Sequence, residues 1–240
     1  MASTVTAQNT VDWAKGYVDF ESQIIGTGSE PAITNANIIL QTILGPPFKW
    51  NWNRSTVSVT TIVGTQDYAT AASTFGFIES ASAALSTTIF AIDEIKQDLS
   101  IGSTIAAALG RPKSIAPQID DNAGNITFRF LPVPDQIYTV TVGFQKKIPA
   151  LISALSTTWA PIPDQYEYIY SYGFLALTMA YSDDPRFPIF NQKFVDHLLG
   201  TQQGLTETER NLFIDTWNLI ARQETLMGIK TQQGRAALGT

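Results

Sequence analysis

The chain has 240 residues, of which 44% are hydrophobic and only 15% are charged, and its formal net charge is −6. This acidic balance argues against a nucleic-acid-binding module, because such modules concentrate Lys and Arg to neutralise phosphates. The absence of cysteine excludes disulfides, thiolate nucleophiles and cysteine metal sites.

The charged fraction is low compared with the roughly one quarter that is usual for soluble domains. We therefore expect much of the surface to be shared with neighbouring chains. The alternative is an exterior built from Ser, Thr, Asn and Gln.

No apolar run has the length of a membrane span, and the first residues lack a basic region followed by a hydrophobic core. We expect a protein that contacts no membrane and stays where it is made.

Residues 1–47 are predicted to form an N-terminal helical part. A helix is predicted from Pro31 to Leu44, since apolar residues recur there at spacings of three and four. The residues that carry this pattern are Ala36, Ile39, Leu40, Ile43 and Leu44. Gly45, Pro46 and Pro47 end the helix.

In residues 48–147, apolar residues recur at every second position, which predicts half-buried antiparallel strands. The alternating residues are Val57, Val59, Thr61 and Val63, then Ile126, Phe128 and Phe130, then Tyr138, Val140, Val142 and Phe144. Further strands are predicted from Phe75 to Ala81 and from Phe90 to Leu99, although the second segment also fits a helix. This part is predicted to be a β sandwich or barrel.

Residues 148–227 return to a helical pattern. Asp164 with Glu167, and Thr206 with Glu209, have the spacing of capping boxes that start helices. Between them, a further helix places Phe187, Phe190, Phe194 and Leu198 on one side. The fold class predicted is α+β, with a helical bundle platform assembled from both chain ends and the antiparallel β module inserted. Residues 228–240 are predicted to be an extended tail.

The helix after Asp164 is apolar on nearly every face. One stripe holds Tyr166, Ile169, Tyr170, Gly173, Phe174, Leu177 and Tyr181, and a second holds Tyr168, Tyr172, Leu175 and Met179. A helix that is apolar all round must be enclosed, either by its own chain or by partners. We interpret the second stripe as a subunit interface.

No pattern of residues indicates catalysis, a cofactor or a metal. The single histidine, His197, has no evident partners for a triad or metal site, and we interpret it as a packed or surface residue. Asp120–Asp121 and Asp183–Asp184 lie in turn-rich segments, where Asp side chains bond nearby backbone amides. The protein is therefore expected not to be an enzyme.

Trp50 and Trp52 allow two interpretations. Two residues apart on an extended segment, they would project to the same side and could form a shelf for a sugar ring. The alternative, which we favour, is a buried contact where the helical and β parts of the sequence meet.

Several segments together resemble the head-to-tail adaptors of tailed bacteriophages, especially the tail tubular protein A type of short-tailed phages. They are Gly45-Pro-Pro-Phe-Lys-Trp-Asn-Trp-Asn-Arg, Gly64-Thr-Gln-Asp-Tyr, Gly110-Arg-Pro, Trp159-Ala-Pro-Ile-Pro-Asp and the helix pair around Asp184-Pro-Arg-Phe. The similarity runs from about Pro31 to Met227.

The resemblance implies a structural role in the neck of a virion made in the bacterial cytoplasm. Such adaptors form a homo-oligomeric ring, here expected to be a dodecamer, below the portal protein. The ring extends the channel through which double-stranded DNA passes without sequence-specific binding, and it docks the tail nozzle or tube. The resemblance also implies that the C-terminal tail binds the portal through Ile229, Lys230, Arg235 and Leu238; the alternative is a disordered end, which is common for polar termini. Another neck ring, such as a stopper or tail terminator, and a carbohydrate-binding tail-fibre module remain alternatives.

Overall fold

A computed structural model describes residues 3–18, 24–26, 28–95, 108–121 and 123–221. The chain divides into two compact units, which are described separately. The helical unit comprises Met1–Phe48 and Ala150–Thr240, and the β unit comprises Lys49–Pro149. The predicted mixed α+β class is confirmed.

The helical unit contains five helices in its described part. They are α1 (Ala7–Ala14), α2 (Ala32–Leu44), α3 (Glu167–Tyr181), α4 (Phe187–Gly200) and α5 (residues 207–221). The helices predicted from spacing, α2 to α5, are confirmed. Helix α1 is not among the predicted elements, although Thr6 and Asn9 form a reciprocal capping box at its start. No helix among the described residues is long and apolar enough to cross a membrane.

Helix α3 is the centre of the helical unit. It packs against α1, α2 and α4, and nearly every residue from Ile169 to Ala180 is buried. The closest approach is at Gly173, where a Cβ would lie 2.7 Å from Ile39 Cδ1 and 2.8 Å from Phe194 Cδ2. Both α2 and α4 therefore approach α3 at a position that has no side chain.

The N-terminal segment is hydrogen-bonded to the residues that precede α3. The Ala7 N–H donates to the Thr157 carbonyl at 2.9 Å, and the Trp159 N–H donates to the Val5 carbonyl at 3.0 Å. The Trp159 indole also stacks on Tyr170 and donates to the Thr10 hydroxyl at 2.8 Å. These contacts join the two ends of the chain into one unit.

The capping box predicted for Asp164 and Glu167 is wrong. The Asp164 carboxylate accepts instead from the hydroxyls of Ser3 (2.8 Å) and Thr4 (2.7 Å) and from the Thr4 N–H (2.9 Å). Residues Asp164–Tyr166 form a 3-10 turn, and α3 starts after Tyr166 without a side-chain cap. The predicted capping box of Thr206 and Glu209 is confirmed, with bonds of 2.8–3.2 Å in both directions.

The β unit contains ten strands in its described part. They are β1 (Arg54–Thr60), β2 (Asp67–Ala71), β3 (Phe75–Leu85), β4 (Thr88–Ala91), β5 (Glu94–Ile95), β6 (Leu109–Gly110), β7 (Ser114–Asp120), β8 (Asn125–Leu131), β9 (Val133–Pro134) and β10 (Thr139–Lys146). One sheet has the order β1-β10-β3-β4, a second has the order β2-β8-β7-β5, and β6 pairs with β9.

Two features of the predicted β module need correction. Its strands are not all antiparallel, since β5 pairs with β7, and β6 with β9, in parallel. The module is also not a closed barrel, because the ladders of the described residues join β1 only to β10 and β2 only to β8. The two four-stranded sheets share one hydrophobic core, whose largest buried side chains include Phe128, Phe130 and Tyr138.

Replacing Gly173 with Ala tests the close packing of α3. We expect the added methyl to cost about 1–3 kcal/mol through overpacking, offset in part by about 1 kcal/mol of helix propensity. The matched control is Gly200→Ala in α4, where nothing lies within 4 Å of the added Cβ. Urea unfolding midpoints should therefore fall for Gly173→Ala only. Equal midpoints for the two variants would contradict the packing described.

Replacing Asp164 with Asn tests the attachment of the N-terminal segment. Hydrogen bonds from the Thr4 and Ser3 side chains lower the pKa of Asp164 from 3.8 to about 2. A lowered pKa in the folded state means that the stabilisation is complete above about pH 4 and is lost as the pH falls to about 2. The difference in melting temperature between wild type and variant should shrink over that pH range. Leu212→Ala, at a 66% exposed position of α5 without a titratable group, is the control, and its difference in melting temperature from wild type should not depend on pH.

Candidate interaction surface

Six aromatic side chains form a continuous cluster in the helical unit, here called the aromatic patch; five of them have exposed surface, and Phe190 is buried. They are Trp13 of α1, Tyr17 just after α1, Tyr168 and Tyr172 of α3, and Phe190 and His197 of α4. Residues three, four or seven apart on a helix share a face, and this spacing aligns the rings that α3 and α4 contribute.

The rings contact one another in a chain. Tyr172 lies at its centre, with ring-centroid distances of 5.3 Å to His197, 5.8 Å to Trp13 and 6.2 Å to Phe190. Tyr168 meets the His197 ring edge to face at 5.2 Å, and Tyr17 meets Phe190 at 5.6 Å. Offset and edge-to-face pairs of this kind contribute about 0.5–1.5 kcal/mol each beyond the area that they bury. The patch is therefore a preformed surface.

Two cationic side chains border the aromatic patch. The Lys193 ammonium lies 5.3 Å from the Tyr172 ring centroid and 5.1 Å from that of Phe190. Arg186 donates to the Tyr17 carbonyl at 2.7 Å and pairs with Asp184, which lowers the pKa of that carboxyl. The Tyr168 hydroxyl is protonated at neutral pH, as in any tyrosine with an ordinary or raised pKa, and it can donate a hydrogen bond; burial raises the pKa of Tyr168 further. Aromatic residues with such donors are enriched in protein–protein interfaces.

The structure separates the four residues predicted for a subunit interface into two groups. Tyr168 is 39% exposed and Tyr172 is partly exposed, and both belong to the aromatic patch. Leu175 and Met179 have no exposed surface, because their part of the stripe faces the interior of the helical unit. The all-round apolar character of α3 is thus accounted for largely by its own chain.

The other members of the aromatic patch are not identified by the sequence patterns. Trp13 and Tyr17 follow the Thr6–Asn9 capping box by helical spacing, and that signal could have located α1. His197, interpreted as packed or on the surface, is exposed and stacked on Tyr172. The predicted portal-binding residues Ile229, Lys230, Arg235 and Leu238 lie outside the described residues.

Trp50 and Trp52 do not form an open shelf. Asn51–Asn53 is a 3-10 turn, so the expectation of an extended segment is wrong. The two indoles still lie near each other, with centroids 5.3 Å apart. Trp50 is only 3% exposed, and its backbone N–H donates to Gln145 Oε1 at 3.1 Å. A sugar shelf needs exposed ring faces, which Trp50 does not offer.

One aspartate of each pair, Asp121 or Asp184, has the turn role predicted for it, whereas Asp120 is the last residue of β7. The Asp121 carboxylate accepts from the Asn125 side chain (2.7 Å) and the Ala123 N–H (2.8 Å), and these bonds lower its pKa. Asp184 accepts from the Arg186 N–H at 2.8 Å, between α3 and α4. Within the described part of the chain, no group of three or more His, Asp or Glu residues could hold a metal ion.

The β unit exposes a second apolar group, here called the aliphatic tip. Its members are Ile62, Val63, Leu109 and Ile137, each more than half exposed. The Gly64 N–H donates to the Pro134 carbonyl at 3.0 Å, and Leu109 pairs with Val133, so these loops lie at one end of the unit. Large exposed aliphatic side chains grouped in this way mark interaction sites.

A family model described as SU10 adaptor protein matches residues 36–215, which is three quarters of the chain and includes most of both units. No curated protein matches the sequence. The matched range contains Tyr168, Tyr172, Phe190 and His197, whereas Trp13 and Tyr17 precede it.

Proposed function

We infer the role of this chain from its family: it belongs to the SU10 adaptor proteins, which are structural bacteriophage head-to-tail adaptors. The adaptor identity indicated by the sequence is confirmed. A structural role in the virion neck follows from that identity.

The specific arrangement that we propose is a homo-oligomeric ring, a dodecamer, below the portal. The ring extends the DNA channel and docks the tail nozzle or tube. Three observations support it. Only 15% of the residues are charged, which suits extensive contact with other chains. The net charge of −6 disfavours adhesion of passing DNA. Each unit also exposes an apolar group, the aromatic patch or the aliphatic tip.

Within this ring, we assign the aromatic patch to the contact between subunits. Tyr168 and Tyr172 supply exposed ring surface, and Lys193 supplies a cation beside it. A contact of the patch with a different surface of the next copy is heterologous, and repeated heterologous contacts close into a ring when the rotation per copy divides a full turn.

The C-terminal residues 228–240 are assigned to portal binding, with Ile229 and Leu238 as apolar anchors and Lys230 and Arg235 as charges. The aliphatic tip is assigned to docking of the tail protein. Neither assignment requires a catalytic group or cofactor, and the role proposed is not enzymatic.

The decisive experiment mixes purified full-length protein with isolated portal rings and sediments the mixture. The wild type should co-sediment as a ring that end-on electron-microscope images resolve. A chain that ends at Met227 should remain folded but lose portal binding, because its anchors are gone. The matched control is Gln232→Ala with Gln233→Ala, which keeps the apolar anchors and charges and should bind normally.

If the wild type formed no complex with portal rings, the proposal that the ring lies below the portal would be wrong. Binding by the truncated chain would overturn the role of residues 228–240 only. Labelled virions in which the protein lies below another ring rather than against the portal would assign it to a stopper or terminator position.

Replacing Tyr168 and Tyr172 together with Ala tests the aromatic patch. We expect ring formation on portals to fall by about tenfold or more, since exposed aromatic anchors commonly contribute about 2 kcal/mol or more to an interface. Tyr181→Ala is the matched control, because Tyr181 is 49% exposed on the same helix but outside the patch. Circular dichroism should show that both variants remain folded. Normal ring formation by the double variant would remove the patch from the subunit contact.

A further inference from the structure

The first sheet of the β unit has two edges whose backbone groups face outward. On β1, the Thr61 N–H donates to the Tyr138 carbonyl, and Thr60 lies opposite Thr139. Hydrogen-bonded and non-hydrogen-bonded pairs alternate in an antiparallel ladder. The odd-numbered residues of β1 therefore bond to β10, and the backbone groups of Thr56, Ser58 and Thr60 point away from the sheet.

The same alternation holds at the opposite edge. The Ile92 N–H donates to the Ala81 carbonyl at 3.0 Å, and Ala84 lies opposite Ile89. The backbone groups of Ile89 and Ala91 consequently point away from β3. Within the described ranges, which omit residues 96–107, no hydrogen bond is made to these outward groups of β1 and β4.

All of β4, and β1 after its first residue Arg54, lack the protection that sheet edges usually have. Edge strands are normally protected by charged side chains, proline or bulges that prevent pairing with other chains. The inner residues of β1 (Ser-Thr-Val-Ser-Val-Thr) and all of β4 (Thr-Ile-Phe-Ala) contain no charge and no proline. A charged residue begins β1 (Arg54), β2 (Asp67) and β5 (Glu94), so β4 is the edge strand that has no charge at all.

Strand direction also distinguishes the two sheets. The order β1-β10-β3-β4 is antiparallel at every step, so β1 and β4 run in opposite directions. A second copy in the same orientation can then place its β1 antiparallel to β4 of the first. In the second sheet, β5 is parallel to β7, so its edges β2 and β5 run in the same direction and cannot continue an antiparallel pattern.

The side chains at the two edges are compatible with such pairing. Opposite residues share a face, so Thr60, Thr139, Ala84 and Ile89 form one row, and Val59, Val140, Ala83 and Phe90 form the next. In the first row, the Ile89 side chain is 73% exposed. In the second row, the side chains of Val140 and Ala83 are buried. Beside the start of β1, an open cleft of about 450 Å³ is lined mainly by small side chains, including Ser55, Thr56, Ala71 and Ser73.

We propose that β4 of one copy pairs antiparallel with β1 of the next copy, so that the first sheet continues from subunit to subunit around the ring. The occupant of each edge is thus a second copy of this chain. The proposal rests on the proposed ring, and it adds a backbone-mediated contact in the β unit to the side-chain contact of the aromatic patch. Main-chain hydrogen bonds supply affinity in strand addition of this kind.

Cross-linking in assembled virions tests the pairing directly, since the natural chain has no cysteine. Ile89→Cys is combined in turn with Thr56→Cys, Ser58→Cys and Thr60→Cys, which covers the possible registers. Treatment with a short bismaleimide should give, for at least one pair, a ladder of multiples of the 26.2 kDa chain on denaturing gels. Ile119→Cys with Ser58→Cys is the matched control, because Ile119 is 62% exposed but belongs to the second sheet.

The outcomes separate this proposal from the proposed ring. If the variants enter virions but none of the three pairs forms a ladder, or if the control pair forms an equal one, strand pairing between copies is overturned while the adaptor ring stands. A cross-link from the Ile89→Cys thiol to a different virion protein overturns the choice of a second copy as the occupant. Absence of the wild-type chain from virions overturns the proposed function itself.

Edge charge gives an independent measurement. Ser58→Lys with Ile89→Lys should lower incorporation into virions by about tenfold or more, because lysine on an edge opposes strand pairing. Thr139→Lys is the control, since Thr139 is exposed in the same row but lies on the inner strand β10. Thr139→Lys should be incorporated within about twofold of wild type. Equal incorporation of the edge and inner-strand variants would contradict the proposal.

Discussion

The enclosure of α3 is the constraint on which the helical unit depends. A helix with apolar side chains on every face is stable only when it is surrounded, and one neighbouring helix cannot surround it. The chain meets this requirement with α1 and α2, which precede the inserted Lys49–Pro149, and with α4, which follows it. Trp159 attaches the segment that precedes α3 to the helical unit, because its indole stacks on Tyr170 of α3 and donates to the Thr10 hydroxyl of α1. The enclosed element therefore also organises the contacts between the two ends of the chain.

Local patterns in the sequence predict many of the elements, although not α1, and they do not predict what each side chain contacts. The three- and four-residue spacing of apolar residues identifies α2, and the alternation of Ile126, Phe128 and Phe130 identifies β8, because both patterns depend only on neighbours in the chain. The capping box at Asp164 is a wrong prediction because the hydrogen-bond donors of this residue lie about 160 positions away. The sequence does not distinguish a sandwich from a barrel, because a barrel closes only if edge strands of the two sheets, such as β1 and β2, pair with each other.

The candidate site is predictable only in part, for a related reason. The stripe Tyr168, Tyr172, Leu175 and Met179 is uniform in sequence, but α4 and the rest of the unit bury its second half and leave its first half at the surface. Whether an apolar residue on an enclosed helix is a core residue or a contact residue depends on where the enclosing helices end. His197 and Phe190 join Tyr172 only because α4 packs beside α3.

With so few charged residues in the chain, the positions of the charges become informative. Asp67 on the edge strand β2 pairs with Arg129 at 2.7 Å, and Glu94 on the edge strand β5 accepts from the Ser114 hydroxyl at 2.7 Å. Charges thus occur at both edges of the second sheet, where they oppose unwanted strand pairing. The edges of the first sheet have a charge only at Arg54, where β1 begins, and none along β4. If edge protection were required everywhere, β4 and the part of β1 after Arg54 would be the costly exceptions, whereas edges that pair in an assembly do not require it.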